Sequence, residues 1–173
     1  MKVRENFNII IEKHPYADTL NKKLLKELEE HDYPLAYKTN VQAKMTNIFI
    51  SSPNTNRIIE LVNSLIINSY GSNFSSLTRD FNLDWEDIWF AKYDLGDYTK
   101  PHDHLFNGQF SFVYFVKCPR GSAPLIFTTS GKKVKAEEGK IVIFPTSLIH
   151  HVPVNRVEGR VVIAGNGILF PKG

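Results

Sequence analysis

From Leu83 onward the chain breaks into short runs rich in Val, Ile, Phe and Tyr, each bounded by Gly, Pro, Asn or Ser. The runs are Ile88 to Tyr93, Phe110 to Val116, Leu125 to Thr129, Lys140 to Phe144, His151 to Val154 and Arg160 to Ala164. β-Branched and aromatic side chains suit a pleated, half-buried surface, and turn signals at this spacing predict a β-sandwich or barrel. The first 80 residues read differently. Leu20, Leu24, Leu25 and Leu28 form an apolar stripe at helical spacing, predicting a helix from Ala17 to Glu30. Its N-cap is expected at Asp18 or Thr19, and Asp32 to Pro34 should stop it. A second helix is predicted from Asn56 to Ser69, started by the turn formers between Ser51 and Asn56.

No repeat, low-complexity tract or linker divides the 173 residues, so one domain is expected over 1–173. Residues 1–82 would supply helical support and flanking strands, and residues 83–173 the jelly-roll core. The fold class is thus mainly β with supporting N-terminal helices: a double-stranded β-helix.

Composition narrows the function. A net charge of +3, with basic residues scattered in clusters as short as Lys22, Lys23 and Lys26, leaves no nucleic-acid footprint. No stretch approaches the roughly 20 apolar residues that span a bilayer, and Ile9 to Ile11 runs straight into Glu12, Lys13 and His14 rather than a signal peptide. Cys118 is the only cysteine, which rules out an internal disulfide and makes the cytoplasm the expected compartment.

Three histidines carry the chemistry. His102 and His104 lie in YDLGDYTKPHDHL and His150 in EEGKIVIFPTSLIHHVP. Residues two apart on a strand share a face, so His102 and His104 can reach one ion, and a third ligand must come from elsewhere in the fold. Neutral imidazoles suit Fe(II), Zn, Ni or Cu rather than Mg or Ca. Consecutive strand residues face opposite ways, so His150 inward places His151 outward. Trp85, Trp89 and Phe90 read either as core packing or as a cleft wall. Leu105 to Gln109 and the segment after Gly71 read as rim loops over a site.

The order Tyr93, Gly96, His102, His104, Phe144–Pro145, His150, Arg160, Asn166 resembles the Fe(II)/2-oxoglutarate-dependent oxygenases, most closely their small prolyl-4-hydroxylase-like group. Members of that group follow the histidine pair with a Ser-x-Val-Tyr-Tyr segment. Here it reads Ser111, Phe112, Val113, Tyr114, Phe115, with Phe112 where relatives often have Gly. KTNVQAKMT, from Lys38 to Thr46, is similar to a stretch in bacteriophage-encoded members, for which the host cytoplasm would be the compartment.

The resemblance implies a metal site with His102 as first and His150 as distal ligand. The superfamily has Asp or Glu where this chain has His104, so three neutral imidazoles would leave the full charge of the metal uncompensated. Asp103 could serve instead only if the chain departs from a regular strand there. Arg160, ten residues after His150, would fork onto the far carboxylate of 2-oxoglutarate, with Tyr93 and Tyr114 as further hydrogen-bond donors. Without such an anion, Arg160 would be an edge residue paired with Glu137, Glu138 or Glu158.

The implied cofactors are Fe(II) and 2-oxoglutarate, with ascorbate an accessory the resemblance admits. The implied reaction couples decarboxylation of 2-oxoglutarate to hydroxylation of a C–H bond in a small molecule or peptidyl substrate, proline first. A homo-oligomer is compatible with all of this.

Two other readings stand beside it. Gly96 with His102 and His104, and Gly139 with Pro145 and His150, also fit a three-histidine cupin, in which Arg160 has no required role. A non-catalytic jelly-roll binding protein is kept open by His104.

Overall fold

The computed structural model describes residues 8–30, 40–46 and 50–172, with residues 71–81 and 86 described by their backbone alone. In chain order the elements are β1 (Ile10–Lys13), α1 (Ala17–Glu30), β2 (Val41–Gln42), β3 (Lys44–Met45), α2 (Pro53–Asp80), β4 (Phe81–Tyr93), β5 (Tyr98–His102), β6 (Phe110–Lys117), β7 (Leu125–Phe127), β8 (Lys132–Val134), β9 (Lys140–Pro145), β10 (His150–Val152) and β11 (Arg160–Pro171). The strands form a six-stranded sheet, β1-β9-β6-β11-β4-β3, and a five-stranded sheet, β2-β5-β10-β7-β8. Every pairing is antiparallel. The result is a jelly roll with N-terminal helices.

Alternation along the central strands builds two cores. Ile88 and Phe90 of β4, Phe112, Tyr114 and Val116 of β6, Ile141 and Ile143 of β9, and Val161 and Ile163 of β11 point outward. They meet Leu20 and Leu24 of α1 and Ile58, Val62 and Ile66 of α2. Their neighbours Ala91, Tyr93, Val113, Phe115, Val142, Phe144 and Val162 point inward and meet Leu125, Phe127 and Val152 of the smaller sheet. Burial on both faces explains why these strands are continuous apolar runs rather than alternating ones. The helices therefore cover the large sheet and leave the space between the sheets for the site.

α1 has the expected bounds, Ala17–Glu30, whereas α2 begins at Pro53, three residues earlier than its pattern indicated. α1 starts at Ala17, so Asp18 and Thr19 lie inside its first turn, where the Asp18 carboxylate complements the positive end of the helix dipole. Its expected stop at Asp32 to Pro34 lies outside the described residues, as do Lys38 and Thr39 of the KTNVQAKMT stretch. α2 is capped by Ser52, whose hydroxyl accepts the N–H groups of Asn54 (3.2 Å) and Thr55 (3.1 Å) ahead of the helix proper. The Ser52 hydroxyl also donates to Glu27 of α1 at 2.9 Å, tying the helices together. α2 runs on to Asp80, so the segment after Gly71, expected as a rim loop, is helix.

Gly139, which also fits a cupin spacing, has a packing role here. Its φ is 80°, and a Cβ would collide with the Ala17 side chain where α1 meets the sheet.

Candidate metal centre

The site is assembled where β5 and β10 pair. His102, the last residue of β5, is the direct cross-strand partner of His150, the first residue of β10. Side chains of such a pair project from the same face, and the two ring centroids are 4.4 Å apart. His104 arrives differently from the expected strand geometry. β5 ends at His102, and His104 is held beyond it by its own N–H, which donates to Thr146 O at 2.9 Å. Its ring still converges, with centroids 4.9 Å from His102 and 5.2 Å from His150. One nitrogen from each ring lies within 4.8 Å of the others, close enough to surround a single ion.

The rings are poised as neutral bases. Burial, and secondarily the neighbouring His102, push the pKa of His150 down to about 3 and that of His104 down to about 4. Burial also lowers His102, opposed by its bond to Lys100 O. All three keep a lone pair available at neutral pH, as ligation requires. Neither alternative donor joins them: Asp103 accepts the Leu105 N–H at 3.4 Å, and His151 contacts Thr128 Oγ1 at 2.8 Å through Nδ1.

The imidazoles line a cavity of about 170 Å3 between the sheets, shared with Tyr93, Thr99, Arg160 and Asn166. Arg160 opens β11 and is 1% exposed. Its guanidinium carbon lies 4.4 Å from the Tyr93 ring centroid and 5.4 Å from that of Phe115. Nε donates to Ala123 O at 3.1 Å, while Nη1 is buried without a hydrogen-bond partner. No ion pair joins Arg160 to a carboxylate among the described residues. Glu137 pairs instead with Lys13 and Lys140, and Glu138 accepts the Cys118 N–H. A buried cation with an unused donor is costly unless an anion completes it.

The two tyrosines separate. Tyr93 lines the cavity, its hydroxyl 2.8 Å from Thr99 Oγ1. Tyr114 does not: it lies on the opposite face of β6, where its hydroxyl donates to Asn21 Oδ1 of α1 at 2.7 Å. The expectation that Tyr114 faces the cosubstrate is therefore corrected, because its neighbours Val113 and Phe115 occupy the inner face.

The tryptophans separate as well. Trp89 lines the cavity 6.4 Å from the His104 ring, while Trp85 donates Nε1–H to Asn63 of α2 at 2.8 Å and Phe90 packs beneath the helices. Trp85 reaches the helix side, despite its odd number, through a register shift in the β4–β11 pairing between Asn166 and Ile168.

Of the other lining residues, Asp87 carries no role in the sequence reading, Asn107 lies within the expected rim segment, and Ser111 and Asn166 enter only as members of the resemblance, without a role of their own. The place of Asn166 at the cavity follows from Arg160, since positions 160, 162, 164 and 166 share one face of β11.

No protein-family model matches the sequence, and no curated protein matches it. Solved structures do. A Pseudomonas putida prolyl-4-hydroxylase aligns with a TM-score of 0.68 at 17% identity, over 96% of this chain and 94% of its own. The viral collagen prolyl hydroxylase of Paramecium Bursaria Chlorella virus-1, solved as a 2OG complex, aligns with a TM-score of 0.66 at 15% identity, over 90% and 93%. An oxidoreductase of the 2OG-Fe(II) oxygenase family from Burkholderia pseudomallei gives 0.66 at 11%, over 92% and 84%. The chain has their fold. At these identities the likeness reaches the scaffold, and the chemistry has to be argued from the side chains.

Proposed function

We propose that the protein is a non-haem Fe(II)- and 2-oxoglutarate-dependent oxygenase that hydroxylates a C–H bond. The observation that carries this reading is Arg160, which lines the same cavity as the three imidazoles and whose buried Nη1 has no hydrogen-bond partner. A metal site alone needs no such cation. A dicarboxylate that engages both the metal and a guanidinium does.

His102, His104 and His150 would hold the ion. The donor set suits iron as an imidazole site, with one feature of its own: it contributes no negative charge. Asp87 is the one carboxylate lining the cavity among the described residues. A bound metal and Arg160 would together present a strongly positive interior, which a dianion such as 2-oxoglutarate neutralises. Arg160 would take its far carboxylate, backed by the Tyr93 ring and by the Tyr93–Thr99 hydroxyl pair. Iron and 2-oxoglutarate, when bound, would supply the oxidising power, with 2-oxoglutarate and O2 as co-reactants that would leave as succinate and CO2 while the substrate gained one oxygen atom.

The protein's own contribution is a shaped cavity whose apolar walls, including Leu125, Phe144, Val152 and Val162, limit the water around the ligand. Trp89 and Asn107 stand at the His104 end, where a substrate C–H would be oriented. A peptidyl proline is the first substrate to test, on the strength of the prolyl hydroxylases that share the fold.

The testing experiment is anaerobic calorimetric titration of Fe(II)-loaded protein with 2-oxoglutarate, followed by measurement of succinate release in air. Metal-dependent binding is expected. Iron bound with no 2-oxoglutarate uptake at roughly millimolar concentration, weaker than about −4 kcal/mol of binding, overturns the reading. That outcome would favour a three-histidine metal protein with another ligand.

A further inference from the structure

His102 and His150 are each held through Nδ1 by a main-chain carbonyl, Lys100 O and Leu148 O, both at 2.8 Å. A carbonyl can only accept, so both rings carry their proton on Nδ1 and leave the Nε2 lone pair for a metal. His104 is held differently. Its Nδ1 faces Asn166 Nδ2 at 3.4 Å, and Asn166 Oδ1 accepts the Ser111 hydroxyl at 2.8 Å. Ser111 and Asn166 are both 2% exposed, so solvent does not complete their bonding.

An amide that offers N–H to Nδ1 favours the tautomer protonated at Nε2, which has no lone pair there for an ion. A half-turn of the same amide exchanges its ends. Oδ1 then accepts the Nδ1–H of His104, and Nδ2 donates to Ser111 Oγ, which accepts as well as it donates. Both Asn166 contacts persist in either orientation, but the Ser111 O–H gives up its acceptor when the amide turns, so the turned amide is the one that a metal on His104 Nε2 has to favour.

We propose that Asn166 is a positioning residue that sets the tautomer of His104. One orientation of its amide closes the third metal position and the other opens it, with Ser111 as partner in both. The inference rests on the three-histidine reading of the metal site. A carboxylate at position 104 would have no tautomer to set. An imidazole does, and Asn166 is the buried group in contact with its second nitrogen.

The test combines two measurements: nitrogen-15 NMR of the imidazoles in metal-free and Zn(II)-loaded wild type, and Zn(II) affinity of Asn166→Ala and Asn166→Asp. The expected spectra show His104 protonated at Nε2 without metal and at Nδ1 with it, while His102 and His150 keep Nδ1–H throughout. Asn166→Ala should bind Zn(II) roughly 10- to 100-fold more weakly, the usual cost of losing such a partner. Asn166→Asp, which can only accept, should bind at least as tightly as wild type.

Wild-type affinity in Asn166→Ala, an Asp variant no better than Ala, or a loaded His104 lacking Nδ1–H would each overturn the inference alone. A wild-type protein that takes up no Zn(II) would overturn the metal site with it. Should Asn166→Ala fail to fold, the wild-type spectra decide.

Discussion

Replacing Arg160 with Met separates what the guanidinium does for the fold from what it does for the ligand. Met keeps a long unbranched stem and removes the charge. In ligand-free protein the change has opposed effects. It relieves a buried donor, Nη1, that has no partner, worth about 1–3 kcal/mol. It also removes the Nε bond to Ala123 O and the stacking on Tyr93, together costing about 1–4 kcal/mol. These nearly cancel, so metal-loaded variant and wild type should melt within a few degrees of each other.

Binding has no such compensation. Losing charge-assisted bonds to a carboxylate costs about 1.5–3 kcal/mol, roughly 10- to 150-fold in Kd. With 2-oxoglutarate at about a hundred times the wild-type Kd, mass action stabilises wild type by about 2.7 kcal/mol and the variant by only about 0.3–1.4 kcal/mol. For 173 residues, at an unfolding entropy of about 2.1 cal/mol/K per residue, that is a ligand-induced rise in Tm of roughly 7 °C against roughly 1–4 °C. Scanning calorimetry of metal-loaded protein under argon reads the shift, and isothermal titration reads Kd directly. A variant Kd within about threefold of wild type, under about 0.7 kcal/mol, would refute the assignment of Arg160 to the ligand.

Other perturbations give distinct outcomes. His104→Asp should retain metal while weakening the mutual dependence of metal and 2-oxoglutarate, because a carboxylate supplies the charge that the dianion otherwise provides. Metal affinities measured with and without 2-oxoglutarate give the coupling factor, and an unchanged factor would show that charge is not its source. Metal-free protein should lose stability as pH falls below about 6.5. The unfolded imidazole binds its proton near that value, whereas His150 in the fold resists protonation down to about 3, so the unfolded state holds more protons across the interval. At about pH 5 His150 alone accounts for about 2 kcal/mol, measurable as a drop in urea midpoint, and an equal drop in His150→Asn would contradict this. Gly165→Ala should destabilise the protein by about 1–3 kcal/mol, since its Cβ would lie 2.6 Å from Phe112 Cε1 and 2.7 Å from Asp87 O. An unchanged urea midpoint would mean that β4 and β6 yield there at no cost.

What the sequence discloses of this fold follows burial. β4, β6, β9 and β11 are covered on both sides, so their apolar runs stand out without reference to any partner. β1, with three of its four residues exposed, and the two- and three-residue strands β2, β3 and β8 carry no such run. They are strands because a neighbour offers a free edge. β5 is concealed by Pro101, a residue that ordinarily argues against a strand. It is tolerated here because β2 pairs only with Tyr98 and Thr99, short of the proline.

The site follows a further rule, the parity of each strand. An apolar run covered on both faces does not say which face is the cavity, so Tyr114 and its neighbours in β6 are indistinguishable until one residue is anchored. β11 contains such an anchor. Arg160, buried at the cavity, places Val162, Ala164 and Asn166 on its own face, and so points to an amide further along the strand. That amide meets the one imidazole of the three whose second nitrogen is not held by a backbone carbonyl. Where a carboxylate would bring both charge and an unambiguous donor atom to the metal, His104 brings neither. On the proposed reading the charge would come from the ligand held by Arg160 and the donor atom from the orientation of Asn166, both acting from the inner face of one strand.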